Sequence, residues 1–548
     1  MQRTFPKFGY NPITGEWNDS LTGEFLWSNV NLSEAVPDVM TPSTWSLWWI
    51  FHYETNPIAF PGDYPFCGNI GGRPYFNLSL LFSVYQVVGH DPRKEMQGDM
   101  LGYSSLEDIQ IPMLPFSAFL VCRTVLPGTF RARWIMRRCH KDLAHFLAST
   151  PAWCRATRGE VMHWKDAASL LEGWQAIIKP AIAQACQMLR FATAGLARPS
   201  TRLRQELSAL VGDSDAATIL SNLSGSTGSL ACLAPLRGLA QVAQGQVSCE
   251  AYLEQYGHRG PHEMELAIPG PEEDPAWLEK QLAAFTQTPE NVETLLASQH
   301  ARQAAAWASF KARFPEKAPA IQRRLDSLAL AAQRREAVRS EVTRMARLLR
   351  RFLLQAGVVT DIDNDVFFLS LDELAEVLAG DNTPLAHLSA RRNAHQRYCS
   401  LPPYPAILIG RFDPFQWAAD PQRRSDFYDA RQKKTAAFSS TIKGFAGAAG
   451  CVEGIVRRID RVEDGDQIQP GEILVSTITN VGWTPLFPRL AAIVTDVGAP
   501  LSHAAIVARE MGIPAVVGCG NATMLLKTGD RVRVDGSAGS VEVLERID

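Results

Sequence analysis

The chain has 548 residues, of which 46% are hydrophobic and 20% charged, with a net charge of -3. That length exceeds what one hydrophobic core serves, so roughly two to four domains are expected. The near-neutral balance argues against nucleic acid or an anionic membrane as partner, and the scattered cysteines, with no Cys-x-x-Cys pair, read as reduced thiols of a cytoplasmic protein.

The N-terminus MQRTFPKFGYNPITGEW has no apolar core of signal-peptide length, and no uninterrupted run is long enough to span a bilayer. FGYNPITGEWNDSLTGEFLW alternates turn residues with large apolar ones, which predicts hairpin-like strands in an irregular, β-containing N-terminal part. A helix is expected at Thr41-Pro42-Ser43-Thr44, with proline early and hydroxyls free to cap. Trp45, Trp48 and Trp49 in that helix read as core packing. GRPYFNLS (Gly72–Ser79) is strand-like, with Arg73, Tyr75 and Asn77 on one face.

From about residue 110 to 210 the pattern is helical and amphipathic. Gly212–Leu233 is rich in Ser and Gly, but its Ser-Gly-Ser-Thr-Gly-Ser core lacks the Gly-Lys-Ser/Thr ending of a phosphate loop and reads as a helix connection. YGHRGPHEMELA (Tyr256–Ala267) gathers two histidines, an arginine and two carboxylates around a Gly-Pro turn. A metal site from His258, His262 and Glu263 is conceivable, although the spacing is not that of His-Glu-x-x-His and Pro261 disfavours a regular helix. The preferred reading is an active-site loop: His258 as general base, Arg259 as phosphate clamp, Glu263 orienting one of them. A structural turn held by an Arg–Glu pair is the alternative.

Residues 277–357 are strongly helical, and Arg347, Arg350 and Arg351 suit the negative end of the helix dipole as solvated side chains. Asp361–Gly380 has an aspartate-rich start but lacks the central glycine and terminal glutamate of a calcium loop. The polar stretch 412–445 reads as a hinge linker, and 446–548 as a compact α/β domain following a mainly helical domain over 1–411.

The most informative stretch is AAIVTDVGAPLSHAAIVAREMGIPAVVG (Ala491–Gly518): a strand over Ala491–Thr495, a loop, a helix from about Ser502 to Met511, and a strand over Ala515–Val517. His503 lies in the first helical turn, where unpaired N–H groups stabilise an anion. A neutral imidazole is a competent nucleophile, the Ser502 hydroxyl can bond transferring oxygens, and Gly498 permits close backbone approach. These parts suit a histidine that carries a phosphoryl group; a hydrogen-bonded core histidine is the alternative. Arg509 sits about 10 Å along the axis from Ser502 and reads as a structural ion pair.

Gly498 to Arg509 resembles the signature of the swivelling phosphohistidine domain of phosphoenolpyruvate-utilising enzymes, with Ala499 replacing the family's second glycine and Ser502 a common threonine. Similarity extends through PGEILV, GWTPLF, REMGIPAVVG and VRVDGSAGSVEVL, while SNVNLSE, TPSTWS, GRPYFNLS and the Gly-His-Arg-Gly stretch resemble the substrate domain of the rifampicin phosphotransferase-like family. This resemblance, spanning nearly the whole chain, implies that His503 is phosphorylated, that His258, Arg259 and Glu263 assist transfer, that Arg73 is a candidate for gripping an anionic or polar group, and that ATP and Mg²⁺ are needed. No glycine-rich nucleotide loop is visible, so the expected partner is a separate ATP-grasp subunit, and the expected acceptor is a small hydroxylated organic molecule. The alternatives are a phosphocarrier subunit of a phosphoenolpyruvate synthase-like complex and a binding protein with a vestigial histidine.

Overall fold

A computed structural model describes residues 9–30, 32–91, 110–194, 197–221, 233–286, 292–432, 441–500 and 502–547. The Ser-Gly-Ser-Thr-Gly-Ser connection, Leu501 and the middle of the expected hinge lie outside them. The molecule is multidomain, with a helical body, a small N-terminal sheet and a C-terminal α/β unit.

The first sheet starts with β1 (Leu26–Ser28), and the chain then forms helix α1 (Pro42–Trp49). Thr41 is the N-cap residue of α1, but its hydroxyl donates to Glu265 at 2.8 Å instead of capping the helix. The hydrogen of that hydroxyl satisfies a buried carboxylate. Trp45, Trp48 and Trp49 are buried, as core packing requires. β2 (Cys67–Ile70) and β3 (Arg73–Asn77) form a hairpin whose two turn residues, Gly71 and Gly72, have φ of 57° and 81°. Positive φ at both positions is the type I′ turn that matches strand twist.

Long helices follow, chiefly α2 (Ala118–Val161), α3 (Lys179–Thr193) and α4 (Ala318–Val359). Their shared core includes Phe146, Trp174, Ile178, Leu349, Phe352 and Leu353. After them, β4 (Ile407–Ile409) returns to pair antiparallel with β1, and β5 (Phe427–Asp429) pairs parallel with β4. The helical body is therefore inserted between strands of one sheet, ordered β2-β3-β1-β4-β5. The expected hinge over 412–445 is partly built structure: it contains a helix over Pro414–Ala419, β5, and the first strand of the next sheet. Composition alone hides this, because β5 is fixed by long-range pairing and not by local pattern.

The C-terminal unit comprises β6 (Thr441–Lys443), β7 (Phe445–Ala448), β8 (Cys451–Arg458), β9 (Ile473–Ser476), β10 (Ala492–Thr495), helix α5 (His503–Met511), β11 (Ala515–Val517), β12 (Arg531–Asp535) and β13 (Ser540–Glu545). Their order in the sheet is β6-β13-β12-β8-β9-β10-β11-β7. β8, β9, β10 and β11 run parallel, and α5 is the crossover between β10 and β11. Such strands are covered on both faces, which explains why Ile493, Val494, Val516 and Val517 read as continuous apolar runs. Trp483, Leu486 and Phe487 of this unit share a core with Leu233, Leu236, Val292 and Leu296 of the helical body, so the two parts are docked. Among the described residues, no helix is long and apolar enough to cross a membrane, and every cysteine is a free thiol.

Candidate active site

The site begins where β10 ends. Asp496 is buried and accepts hydrogen bonds from the Thr523 backbone N–H and hydroxyl, and burial pushes its carboxyl up to about 7. Gly498 follows with φ of +148°, where a Cβ would lie 3.1 Å from Val517 Cβ and 3.2 Å from Ser502 Oγ. Its glycine identity lets the loop close on the helix start. Ser502 is the N-cap of α5 and accepts from Ala505 N at 3.4 Å.

His503 opens α5 and is only 7% exposed. Its Nδ1 lies 3.3 Å from the Thr479 hydroxyl and its Nε2 3.1 Å from the Thr484 hydroxyl. A hydroxyl can donate or accept, so the two threonines satisfy either neutral tautomer. Burial, followed by the nearby guanidiniums of Arg339 and Arg259, pushes the imidazole down to about 3. The ring is therefore uncharged at neutral pH.

Glu34 approaches from the N-terminal part: its Oε2 accepts the backbone N–H of His503 at 3.1 Å. Burial pushes its carboxyl up to about 7, against the opposing pull of that N–H, of Arg339 and Arg335, and of the Ser502 hydroxyl. From the helical body, Arg259 Nε donates to Glu263 Oε2 at 2.8 Å, and Arg339 Nη2 of α4 donates to Glu263 Oε1 at 3.1 Å. Burial opposes the charge of Glu263, but the two guanidiniums outweigh it and hold the carboxyl below its usual range. Nη1 and Nη2 of Arg259 are buried with no hydrogen-bond partner among the described residues. Two unpaired donors on a buried cation are costly, and an anion placed there would satisfy them.

The structure thus gathers His503, Ser502, Gly498, Arg259 and Glu263 into one neighbourhood. His258 stands differently. Its Nε2 lies 2.8 Å from the Ser340 hydroxyl, its Nδ1 is buried without a partner among the described residues, and burial and four arginines depress its basicity strongly. Arg73 is not brought in: it donates to the Pro37 carbonyl at 2.9 Å and lies over the Tyr404 ring. Arg509 donates to the Gly447 and Pro500 carbonyls, so its structural role rests on backbone acceptors.

Arg347 and Arg350 are not solvated. They are 3% and 6% exposed, and they hold the loop after Gly260 by donating to the carbonyls of His262, Ile268 and Leu266. Glu34, Thr479, Thr484 and Arg339 were not singled out as site residues by the sequence reading. Glu34 does fall in SNVNLSE and Thr484 in GWTPLF, so the resembling segments, more than residue type, carried their signal. Among the described residues, no group of three or more His, Cys, Asp or Glu is arranged to hold a metal ion. Beside the site, a cleft of about 870 Å³ is lined by Pro261, His262 and Trp277 of the helical body and by Glu463, Gly482 and Arg489 of the C-terminal unit.

Two family matches fall on the C-terminal unit and on the helical body. Residues 468–539 match the PEP-utilising enzyme mobile domain, and residues 194–354 match the rifampicin phosphotransferase fourth domain. The first contains His503 and the second contains Arg259, Glu263 and Arg339. An uncharacterised protein of Mycobacterium tuberculosis is 35% identical over 54% of this chain and 31% of its own length. The rifampicin phosphotransferase of Bacillus cereus is 35% identical over 35% of this chain and 20% of its own length. The prodigiosin synthesizing transferase of Serratia marcescens is 30% identical over 54% of this chain and 33% of its own length. These alignments span a third or less of each relative, and they cover less of this chain than the near-complete resemblance expected from its motifs.

Proposed function

We propose that this chain, which carries a PEP-utilising mobile domain and a rifampicin phosphotransferase fourth domain, is a phosphotransferase subunit that carries a phosphoryl group on His503. The observation that carries this reading is the pairing of a buried, uncharged histidine at a helix start with a buried arginine whose outer nitrogens are free. In the delivery step a P–N bond to the ring breaks and a P–O bond to the acceptor hydroxyl forms, and the nitrogen keeps its electron pair. Charge on the transferring oxygens is met by Arg259, Arg339 and the start of α5.

The acceptor hydroxyl must lose a proton. Glu34, whose carboxyl is pushed up to about 7 and already touches the His503 backbone, suits that role as candidate base. His258 was the expected base, but its depressed basicity and its bond to Ser340 fit a supporting position behind Arg259 better. The cleft beside the site is of the size that holds a small organic acceptor, with Trp277 offering a ring face. A partner ATP-grasp subunit charges His503 from ATP and Mg²⁺ with release of AMP and phosphate, in the cytoplasm. That partner would hold the magnesium ion.

The test is acid-labile incorporation of label from β-labelled ATP with Mg²⁺, with and without extract of the native cells. Label that requires the extract and is lost in His503→Ala is the expected result. Label that persists in His503→Ala contradicts the assignment, and label without extract removes the need for a partner.

A further inference from the structure

The mobile unit meets the helical body at a second polar point, separate from His503. His262 stands on the turn after Gly260, with Nδ1 2.8 Å from Asp38 Oδ1 of the N-terminal part and Nε2 2.8 Å from Glu463 Oε1 of the C-terminal unit. One ring therefore joins three segments that are distant in sequence. Both ring nitrogens face carboxylates, so the ring must carry both protons to donate twice, and an imidazolium is the form that fits.

Neighbouring contacts fix the same register. Asn480 Nδ2 of the mobile unit donates to the Pro261 carbonyl at 2.7 Å. A Cβ at Gly482 would lie 2.6 Å from Pro261 Cα, so the two backbones touch there. Glu463 is also approached by Arg461 of its own unit at 3.5 Å, which leaves it charged when the units part. On the other side Arg347 holds the His262 carbonyl at 2.8 Å, so the imidazole is presented from a rigid turn. The apolar contacts of Trp483, Leu486 and Phe487 supply attraction without direction, whereas two charge-assisted hydrogen bonds supply orientation.

We propose that His262 is a docking latch: bridging Asp38 and Glu463, it holds the mobile unit in the one register that places His503 against Arg259 and Arg339. This deepens the function proposed above and rests on it for the claim that docking serves delivery. His262 is a positioning residue here, since nothing places it on the transferring group. The same contact forms one edge of the cleft, which both His262 and Glu463 line.

The experiment uses the full chain without nucleotide. Small-angle X-ray scattering and amide hydrogen exchange over Val462–Gln467 and Pro261–His262 would be compared for wild type, His262→Gln, Glu463→Gln and Glu463→Asp. Glu453→Gln, which alters an ion pair within the C-terminal sheet, is the control. The wild type is expected compact and protected. Glu463→Gln and His262→Gln are expected to shift the docked-to-open ratio by about tenfold or more, with partial rescue in Glu463→Asp and no change in Glu453→Gln. Unchanged scattering and exchange in both Gln variants would overturn the latch, as would a wild type already open. Because this readout needs no phosphoryl donor, opening without any labelling of His503 would leave the latch standing and remove the function.

Discussion

Burial decides the chemistry of individual residues at this site. His503, pushed down to about 3, stays neutral across the neutral range, so its ring ¹⁵N shifts should not move between mildly acidic and mildly alkaline solution. A titration near the ordinary value of 6.5 would mean that the docked environment is not the one populated. Glu34 acts as a base only when ionised, so delivery to an acceptor should rise with pH through about 7. Glu34→Gln is expected to lower delivery by about 10²- to 10⁴-fold and abolish that limb, while His503 still accepts phosphate. A limb that survives in the variant assigns the proton elsewhere. His503 was legible from its local string, because helix start, neighbouring hydroxyl and preceding glycine lie within a few residues of it. Its neighbours Glu34 and Arg339 were not, since each lies far along the chain from it and becomes chemical only through the fold.

Elements show the same division. β10, α5 and β11 coincide with their expected limits to within about a residue, because apolar runs, Ser502 as cap and Gly512 as stop are local signals. Gly512 has φ of 71°, and a Cβ there would collide with the Arg302 guanidinium. Gly512→Ala should therefore destabilise the protein by at least about 1 kcal/mol, measured by thermal or denaturant unfolding. An unaltered midpoint would show that the junction of α5 with the helical body yields freely. The end of α4 misled, because arginines near a helix C-terminus fit the dipole argument whether exposed or buried. Only the carbonyls after Gly260, brought against α4 by tertiary packing, reveal Arg347 and Arg350 as clamps. The hinge was overextended for a similar reason: β5 has three residues, and its partner β4 is itself defined by pairing with β1.

For the whole molecule, the question is what holds the mobile unit in place and when. Burial opposes charge on His262, but its hydrogen bonds to Asp38 and Glu463 win and raise it from 6.5 to about 10. Stabilisation from that charge is fully present below 6.5 and is lost as pH rises through about 10. Glu463, lowered from 4.5 to about 2 mainly by His262, contributes above 4.5 and fails as pH falls through about 2. The junction also includes Arg461, whose Nε lies 3.5 Å from Glu463 Oε2. Docking should therefore persist across neutral pH and loosen on the alkaline side, visible as expansion in scattering near pH 10 that is absent from His262→Gln. The C-terminal motif and the Gly-His-Arg-Gly loop, which lie on the two docked parts, were each readable from their own stretch of sequence. That they meet at His503 was not, because a meeting of two units leaves no periodicity in either.

The most direct measurement is peptide mapping of the phosphorylated chain by tandem mass spectrometry at neutral to alkaline pH, where a phosphoramidate survives. The account predicts a single phosphate on the peptide that contains His503, localised to its imidazole and lost on brief acid treatment. Acid-stable phosphate on Ser502 or either threonine, or phosphate on any other histidine, would contradict it.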